Sequence, residues 1–168
     1  EATHMSIDLT RMPKLGFGLM RLPEQDGKID LEQVCRMADA YLDAGLNYFD
    51  TSPVYCMGQS ETCTGIALHR HPRDKYFVAT KMSNFSPETW SKKASMEMFE
   101  NSLKALQVEW IDYLLLHAIG GDSRDMDSEE TFNARFMDNG ILDWLLEKKK
   151  GGGNPHPRFS VSRRPERL

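Results

Sequence analysis

The chain has 168 residues, of which 40% are hydrophobic and 27% are charged, and its formal net charge is −4. This length suffices for one domain with a buried core, and the composition is ordinary for a globular protein. Because the sequence has neither an apolar run of membrane-spanning length nor a signal-peptide pattern at its start, we expect no membrane partner and a cytoplasmic location.

Basic residues are concentrated at the C-terminus. Residues 148–168 contain 7 basic and 1 acidic residue, whereas residues 1–147 contain 14 and 24. A basic tail can contact nucleic acid, but apart from Phe159 this tail lacks aromatic residues, and we expect no nucleic-acid partner. The cysteines, Cys35, Cys56 and Cys63, form no CxxC pair, so the sequence predicts neither a disulfide framework nor a metal site.

The first part of the chain predicts a strand followed by a helix. The apolar run KLGFGLMRL predicts the strand. Asp30 is the predicted N-cap of the helix, Gln33 is placed to complete a capping box, and Gly45 ends the helix. Helical spacing predicts one buried face, formed by Val34, Met37, Ala38, Tyr41 and Leu42.

The same alternation continues to residue 150. NYFDTS predicts a second strand and is followed by a helix that starts at Ser60. KYFVATKM predicts a third strand, after which Ser86 is the predicted cap of a helix with Pro87 at its first position. WIDYLLLHAI predicts a fourth strand covered on both faces, and GILDWLLEKKK predicts a fourth helix.

Strand–helix units of about 30 residues are typical of a parallel α/β sheet. Four such units predict either an open doubly wound sheet or part of a closed TIM-type (β/α) barrel. Composition does not distinguish these two folds.

Four polar residues lie at or just beyond the ends of the predicted strands, where catalytic groups gather in parallel α/β folds. They are Asp50, Tyr55, Lys81 and His117. Each has a simpler interpretation by itself. Asp50 could cap a turn, Tyr55 could be a packed loop aromatic, Lys81 could be a solvated strand end, and His117 could be a hydrogen-bonded core histidine.

Together the four residues predict one chemistry. A cation close to a phenol stabilises the phenolate, so Lys81 could make Tyr55 a useful proton donor, and Asp50 could hold Lys81 in place. His117 could then hydrogen-bond a substrate carbonyl and orient it. This arrangement protonates a carbonyl oxygen while hydride reaches the carbon, and because no side chain carries hydride, it requires a nicotinamide cofactor.

The sequence resembles the aldo-keto reductase superfamily over residues 12–150. The resemblance is carried by LGFGLMRLP, AGLNYFDTSPVYCMGQSE, VATK and IDYLLLH. It implies a (β/α) barrel, dependence on NADPH or NADH, a small carbonyl substrate, and the catalytic set Asp50, Tyr55, Lys81 and His117. It also implies cofactor contacts at Gly18, Leu19, Met20 and Asp50. LGFGLMRLP looks closest to a bacterial branch that often continues into a ferredoxin-like domain, so an iron–sulfur cluster is expected only in a longer parent protein.

The predicted units amount to the first four of the eight in a family barrel. We therefore expect residues 12–150 to be an N-terminal half-barrel that is inactive by itself and lacks the later cofactor loops. Its exposed edge strands and uncovered apolar inner face would favour self-association. The alternative function is that of a non-catalytic fragment, or of a regulatory module that binds a partner.

The two ends of the chain have separate expectations. Residues 1–11 are expected to be an N-terminal extension or a tag scar. Residues 151–168 are expected to be an irregular, aberrant tail, either frameshifted or disordered. Shifted by one nucleotide, this tail is compatible with I-R-x-L-G-F-x-F-H-G-D, which is similar to the fifth strand of the family.

Overall fold

The computed structural model describes residues 13–119 and 126–150, so the expectations for residues 1–11 and 151–168 lie outside the described residues. The strands are β1 (Phe17–Gly18), β2 (Glu24–Gln25), β3 (Lys28–Ile29), β4 (Tyr48–Asp50), β5 (Phe77–Met82) and β6 (Tyr113–Leu116). The helices are α1 (Leu31–Asp43), α2 (Ser60–Leu68), α3 (Lys92–Leu106), α4 (Ser128–Phe132) and α5 (Ile141–Lys150). Among these, no helix is long and apolar enough to cross a membrane.

The main sheet has the order β1-β4-β5-β6, and each neighbouring pair is parallel. Its strands therefore follow one another in space as they do along the chain. A doubly wound sheet reverses its strand order at a switch point, whereas a barrel does not. The topology is that of part of a TIM-type barrel, and it decides between the two predicted folds.

The helices cover one face of this sheet. Phe49, Val78 and Leu114 point to that face and join a single core with buried residues of the helices, among them Val34, Phe99 and Leu145. The opposite face would line the inside of a barrel. Its apolar side chains were expected to be uncovered, but two of them, Phe77 and Tyr113, are only 9% and 7% exposed. They pack on each other with ring centroids 6.1 Å apart, and this contact shields both rings.

Helix α1 follows the prediction closely, with one exception at its cap and one on its buried face. The Asp30 side chain accepts a hydrogen bond from the Gln33 N–H at 2.9 Å. The reciprocal half of the capping box is not formed, because the Asp30 N–H bonds the Pro23 carbonyl instead. Gly45 follows the helix with a φ of +77°, a conformation that glycine adopts without strain. Met37, predicted to be on the buried face, is 37% exposed.

Three local elements differ from the prediction. Pro87 opens only a single 3₁₀ turn, and the long helix begins at Lys92, because the Ser91 side chain caps it through the Ala94 N–H. The hairpin β2–β3 was not predicted; its turn carries Asp26 and Gly27 at positive φ, which suits an Asp-Gly pair. Helix α4 was also not predicted, although Asp127 and Glu130 form a complete capping box there.

Candidate active site

The structure brings all four predicted catalytic residues together at the C-terminal edge of the sheet. Side chains alternate between the two faces of a strand, so Asp50, Lys81 and His117 share the face opposite the helices. Asp50 ends β4, Lys81 lies near the end of β5, and His117 follows β6 directly. Tyr55 reaches the same place from the 3₁₀ turn Tyr55–Gly58 after β4.

Lys81 is the centre of the group. Its Nζ donates to Asp50 Oδ1 at 2.6 Å and to the Thr51 carbonyl at 2.8 Å. The same nitrogen lies 4.7 Å from the centroid of the Tyr55 ring. The Lys81 side chain is only 11% exposed, so water screens these contacts weakly. One ammonium therefore lies next to both the Asp50 carboxylate and the Tyr55 ring.

The turn that carries Tyr55 is unusually sharp. Cys56, Met57 and Gly58 have φ values of 51°, 53° and 86°, so three successive residues are left-handed. Such a run reverses the chain direction within a few residues. Cys56 and Met57 are sterically strained in this conformation, whereas Gly58 is not. The Tyr55 N–H anchors the start of the turn by donating to the Ser52 carbonyl at 3.1 Å.

His117 lies between Tyr55 and two buried serines. Its ring meets the Tyr55 ring edge-on, with centroids 5.8 Å apart. Nδ1 is 2.7 Å from Ser83 Oγ and 3.4 Å from Ser52 Oγ. For Nε2 the described residues provide no hydrogen-bond partner, and the same holds for the Tyr55 hydroxyl. Both groups are therefore free to bind a ligand.

Several groups around His117 oppose its protonation. Burial lowers the pKa of His117 below its usual value, and the positive charges of Lys81 and Arg135 lower it further. Asp50 acts in the opposite direction but more weakly. Burial and the two positive charges each favour the neutral form of the imidazole.

Arg135 fixes the turn that follows β6. It lies in the π-helical turn Asn133–Met137, is 3% exposed, and donates to the carbonyls of His117 at 2.7 Å and Ala118 at 3.0 Å. It also donates to the Asn84 carbonyl at 3.2 Å. In return the Asn84 amide donates to the Arg135 carbonyl at 2.9 Å, so the two turns after β5 and β6 are held together.

The predicted cofactor residues Gly18, Leu19 and Met20, at the end of β1 and directly after it, differ in exposure. A Cβ placed at Gly18 would meet no atom within 4 Å, and Met20 is 56% exposed, so both border open space. Leu19 is buried, and its carbonyl accepts a hydrogen bond from Ser60 Oγ at 2.7 Å. Gly18 and Met20 therefore lie on the accessible side of this segment, and Leu19 lies on its buried side.

Comparison with known proteins identifies the family. Residues 14–145 match the Aldo/keto reductase family. The chain belongs to this family of oxidoreductases. It is 30% identical over 127 residues to an L-galactose dehydrogenase of Arabidopsis thaliana, which covers 74% of this chain and 40% of that protein. It is 29% identical over 135 residues to an NADH-specific methylglyoxal reductase of Escherichia coli, covering 66% and 39% respectively.

Solved structures of the family share the fold. An aldo-keto reductase from Klebsiella pneumoniae in complex with NADPH is 26% identical, with a TM-score of 0.60, over 92% of this chain and 47% of that one. A holo-form aldo-keto reductase from Bacillus halodurans is 30% identical, with a TM-score of 0.59, over 88% and 45%. The chain thus spans less than half the length of these relatives.

Sequence reasoning missed several residues of the site. Ser52 and Ser83 lie two positions after Asp50 and Lys81, and the strand period of two could have placed them on the same face. Arg135 and Asn84 carry no comparable signal, because they are distant in sequence and meet only through the turns that they join. Among the described residues no group of His, Cys, Asp and Glu could hold a metal ion.

Proposed function

We propose that the protein reduces an aldehyde or ketone to an alcohol with NADPH or NADH, and that Tyr55 is the general acid. One observation carries the proposal. The Lys81 ammonium contacts the Asp50 carboxylate at 2.6 Å and lies 4.7 Å from the centroid of the Tyr55 ring, beside His117. A phenol paired with a buried cation, next to a neutral imidazole, suits protonation of a carbonyl oxygen.

Tyr55 and His117 offer two hydrogen-bond donors to one acceptor. Their rings lie edge to face, and the Tyr55 hydroxyl and the His117 Nε2 have no partner among the described residues. A carbonyl oxygen that accepts from both groups is held in a fixed orientation. As negative charge develops on this oxygen, both hydrogen bonds strengthen, and Tyr55 transfers its proton.

Lys81 and Asp50 support this proton transfer. The phenolate left on Tyr55 is stabilised by the neighbouring ammonium of Lys81. The Asp50 carboxylate and the Thr51 carbonyl keep the ammonium in place, so little reorganisation is needed during the reaction.

The nicotinamide cofactor supplies the hydride that the side chains cannot. We assign Gly18, Met20 and Asp50 to its nicotinamide end, together with the backbone of Leu19. An NADPH complex from Klebsiella pneumoniae and an NADH-specific reductase from Escherichia coli are both similar to this chain, so the proposal covers both cofactors.

The test is a Tyr55→Phe substitution in a longer protein that contains this sequence, assayed by NADPH oxidation with a simple aldehyde. We expect a rate loss on the order of 10²–10⁴-fold, typical of a lost general acid, with NADPH affinity nearly unchanged. Tyr76→Phe is the matched control, because Tyr76 is buried at the opposite end of β5. A parallel loss of NADPH binding in Tyr55→Phe would contradict the role of Tyr55.

We further propose that residues 1–168 alone do not turn over. The chain matches 47% of the NADPH-bound relative, and the residues assigned here hold only one end of a dinucleotide. Two measurements on the purified chain separate a reductase from a non-catalytic module. They are an NADPH titration followed by fluorescence and an assay for turnover. Turnover by the chain alone would contradict this proposal, whereas binding of a protein partner without turnover would support a regulatory module.

Two further properties belong to the proposal. Strands β1 and β6 are the edges of the described sheet, and we propose that copies of the chain self-associate through them. A concentration-dependent mass in sedimentation would support this. The three cysteines are free thiols, which is consistent with the reducing cytoplasm that we propose as the location.

A further inference from the structure

A pair of buried hydroxyl groups lies behind the catalytic imidazole. Ser52 and Ser83 are 0% and 4% exposed, and their Oγ atoms are 2.9 Å apart. Ser83 Oγ is 2.7 Å from His117 Nδ1. Three polar groups thus form a short chain of two close contacts, from Ser52 through Ser83 to the imidazole. The proposed reaction assigns no role to either serine.

The direction of the hydrogen bonds follows from counting hydrogens. Each close contact accommodates one hydrogen, and the two hydroxyl groups supply two. Ser52 Oγ also accepts from the Val54 N–H at 3.4 Å, so its own hydrogen is free to point to Ser83. Ser83 then donates to Nδ1, and every hydrogen of the chain has an acceptor.

The opposite tautomer leaves a hydrogen without a partner. If Nδ1 carried a proton, three hydrogens would share two close contacts. One buried hydroxyl hydrogen would then lack an acceptor among the described residues. An unsatisfied buried polar group is unfavourable, so this tautomer is disfavoured.

We infer that Ser83, oriented by Ser52, is a positioning residue that holds His117 in the tautomer with its proton on Nε2. This tautomer presents an N–H donor to the side where Tyr55 lies. Ser83 has no contact with the substrate in this arrangement and acts only through the imidazole.

The same serines oppose formation of an imidazolium. Protonation of Nδ1 would reverse its contact with Ser83, so that Ser83 Oγ accepts from the Nδ1–H, and one of the two hydroxyl hydrogens would lose its acceptor. The charged groups that face His117 are Lys81 on β5, Arg135 after α4 and Asp50 on β4, of which only Asp50 favours protonation. The serines and the two cations therefore act in the same direction, and His117 remains a neutral donor.

The tautomer can be measured without catalysis. The 168-residue chain is labelled with ¹⁵N in its imidazole rings, and His117 is identified by the resonances that a His117→Gln variant loses. We expect the wild-type chain to show a protonated Nε2 and an unprotonated Nδ1. In Ser83→Ala we expect a mixture of both tautomers and a titration midpoint at higher pH, because the hydroxyl no longer blocks Nδ1.

Two matched variants separate positioning from packing. Ser83→Thr retains a hydroxyl and should restore the wild-type tautomer. Ser102→Ala removes another buried serine, on α3, and should leave the His117 resonances unchanged. If Ser83→Ala does not fold, Ser52→Ala takes its place, with a smaller shift in the same direction.

A protonated Nδ1 in the wild-type chain would overturn the inference, as would a Ser83→Ala variant with unchanged tautomer and midpoint. Only the catalytic consequence rests on the proposed reduction. In protein that turns over, Ser83→Ala should lower kcat by about tenfold, the effect of one hydrogen bond, with the KM for NADPH unchanged. Absence of turnover in a longer protein that contains residues 1–168 would contradict the proposed function and leave the NMR result decisive for the tautomer.

Discussion

Lys81 and Asp50 form a 2.6 Å ion pair although they are not paired in the sheet, since the register places Asp50 opposite Ala79. Lys81 lies two residues further along β5 and on the same face. The long lysine side chain therefore reaches back across the edge of the sheet to the neighbouring strand. The Lys81 ammonium thereby lies next to both the Asp50 carboxylate and the Tyr55 ring.

Replacing Lys81 tests the ion pair. Lys81→Met keeps the aliphatic length but removes the cation next to Tyr55, and it leaves the Asp50 carboxylate without its partner. We expect the carbonyl reduction rate to fall on the order of 10²–10⁴-fold. Lys93→Met is the control, because this lysine on α3 is 87% exposed. An equal loss in both variants would contradict a role specific to Lys81.

His117 predicts a pH dependence of stability. Because burial and nearby cations lower its pKa in the folded state, the unfolded chain binds the proton more readily. The stabilisation is therefore complete above the unfolded value of about 6.5 and is lost as the pH falls through the lower folded pKa.

Urea unfolding at pH 8 and pH 5.5 measures this loss. Between pH 8 and pH 5.5, we expect the free energy of unfolding to fall less in His117→Gln than in the wild type. His69→Gln, at an exposed position, should behave as the wild type does. Identical pH dependence in the wild type and His117→Gln would contradict the prediction.

Arg135 is expected to be important for stability. It is buried, and none of the ion pairs between described residues includes it. Arg135→Met would leave the carbonyls of His117 and Ala118 without a donor, so we expect the free energy of unfolding to drop by roughly 2–4 kcal/mol.

Denaturant unfolding of three variants checks the role of Arg135. Arg135→Lys should rescue stability only in part, because a single ammonium cannot span the carbonyls that the guanidinium reaches. Arg36→Met, an exposed position, is the control. Full stability in Arg135→Met would show that water or other groups satisfy these carbonyls.

Gly65 predicts a steric effect between two helices. A Cβ at this position of α2 would lie 2.4 Å from the Ala105 carbonyl oxygen and 2.8 Å from the Leu106 carbonyl carbon on α3. Both neighbours are backbone atoms, so the helices would have to move apart. We expect Gly65→Ala to destabilise the fold by about 1–3 kcal/mol, as overpacking does.

Thermal unfolding provides the measurement for Gly65. Thr62→Ala, an exposed position on the same helix, should be neutral. A stabilised Gly65→Ala would mean that helix propensity outweighs the clash and that the two helices separate easily.

Local patterns were sufficient to predict the elements that depend on neighbouring residues. Asp30 and Gly45 delimit α1 because a cap and a left-handed glycine act within one turn of the chain. The predicted helix start at Pro87 was wrong. Ser91, four residues after Pro87, caps the longer helix through its own hydrogen bond. The segment contains two possible caps, and in the structure Ser91 forms the side-chain cap hydrogen bond whereas Ser86 does not.

The sequence by itself predicted the family, the alternation of strands and helices, and the candidate catalytic residues Asp50, Tyr55, Lys81 and His117. Each of these follows from short motifs at strand ends. Only the tertiary structure decided that the sheet runs in sequential order, and that Ser52, Ser83 and Arg135 surround His117. Their contacts join residues that are 18 to 65 positions apart in the sequence. Such residues meet only when the strands align in register.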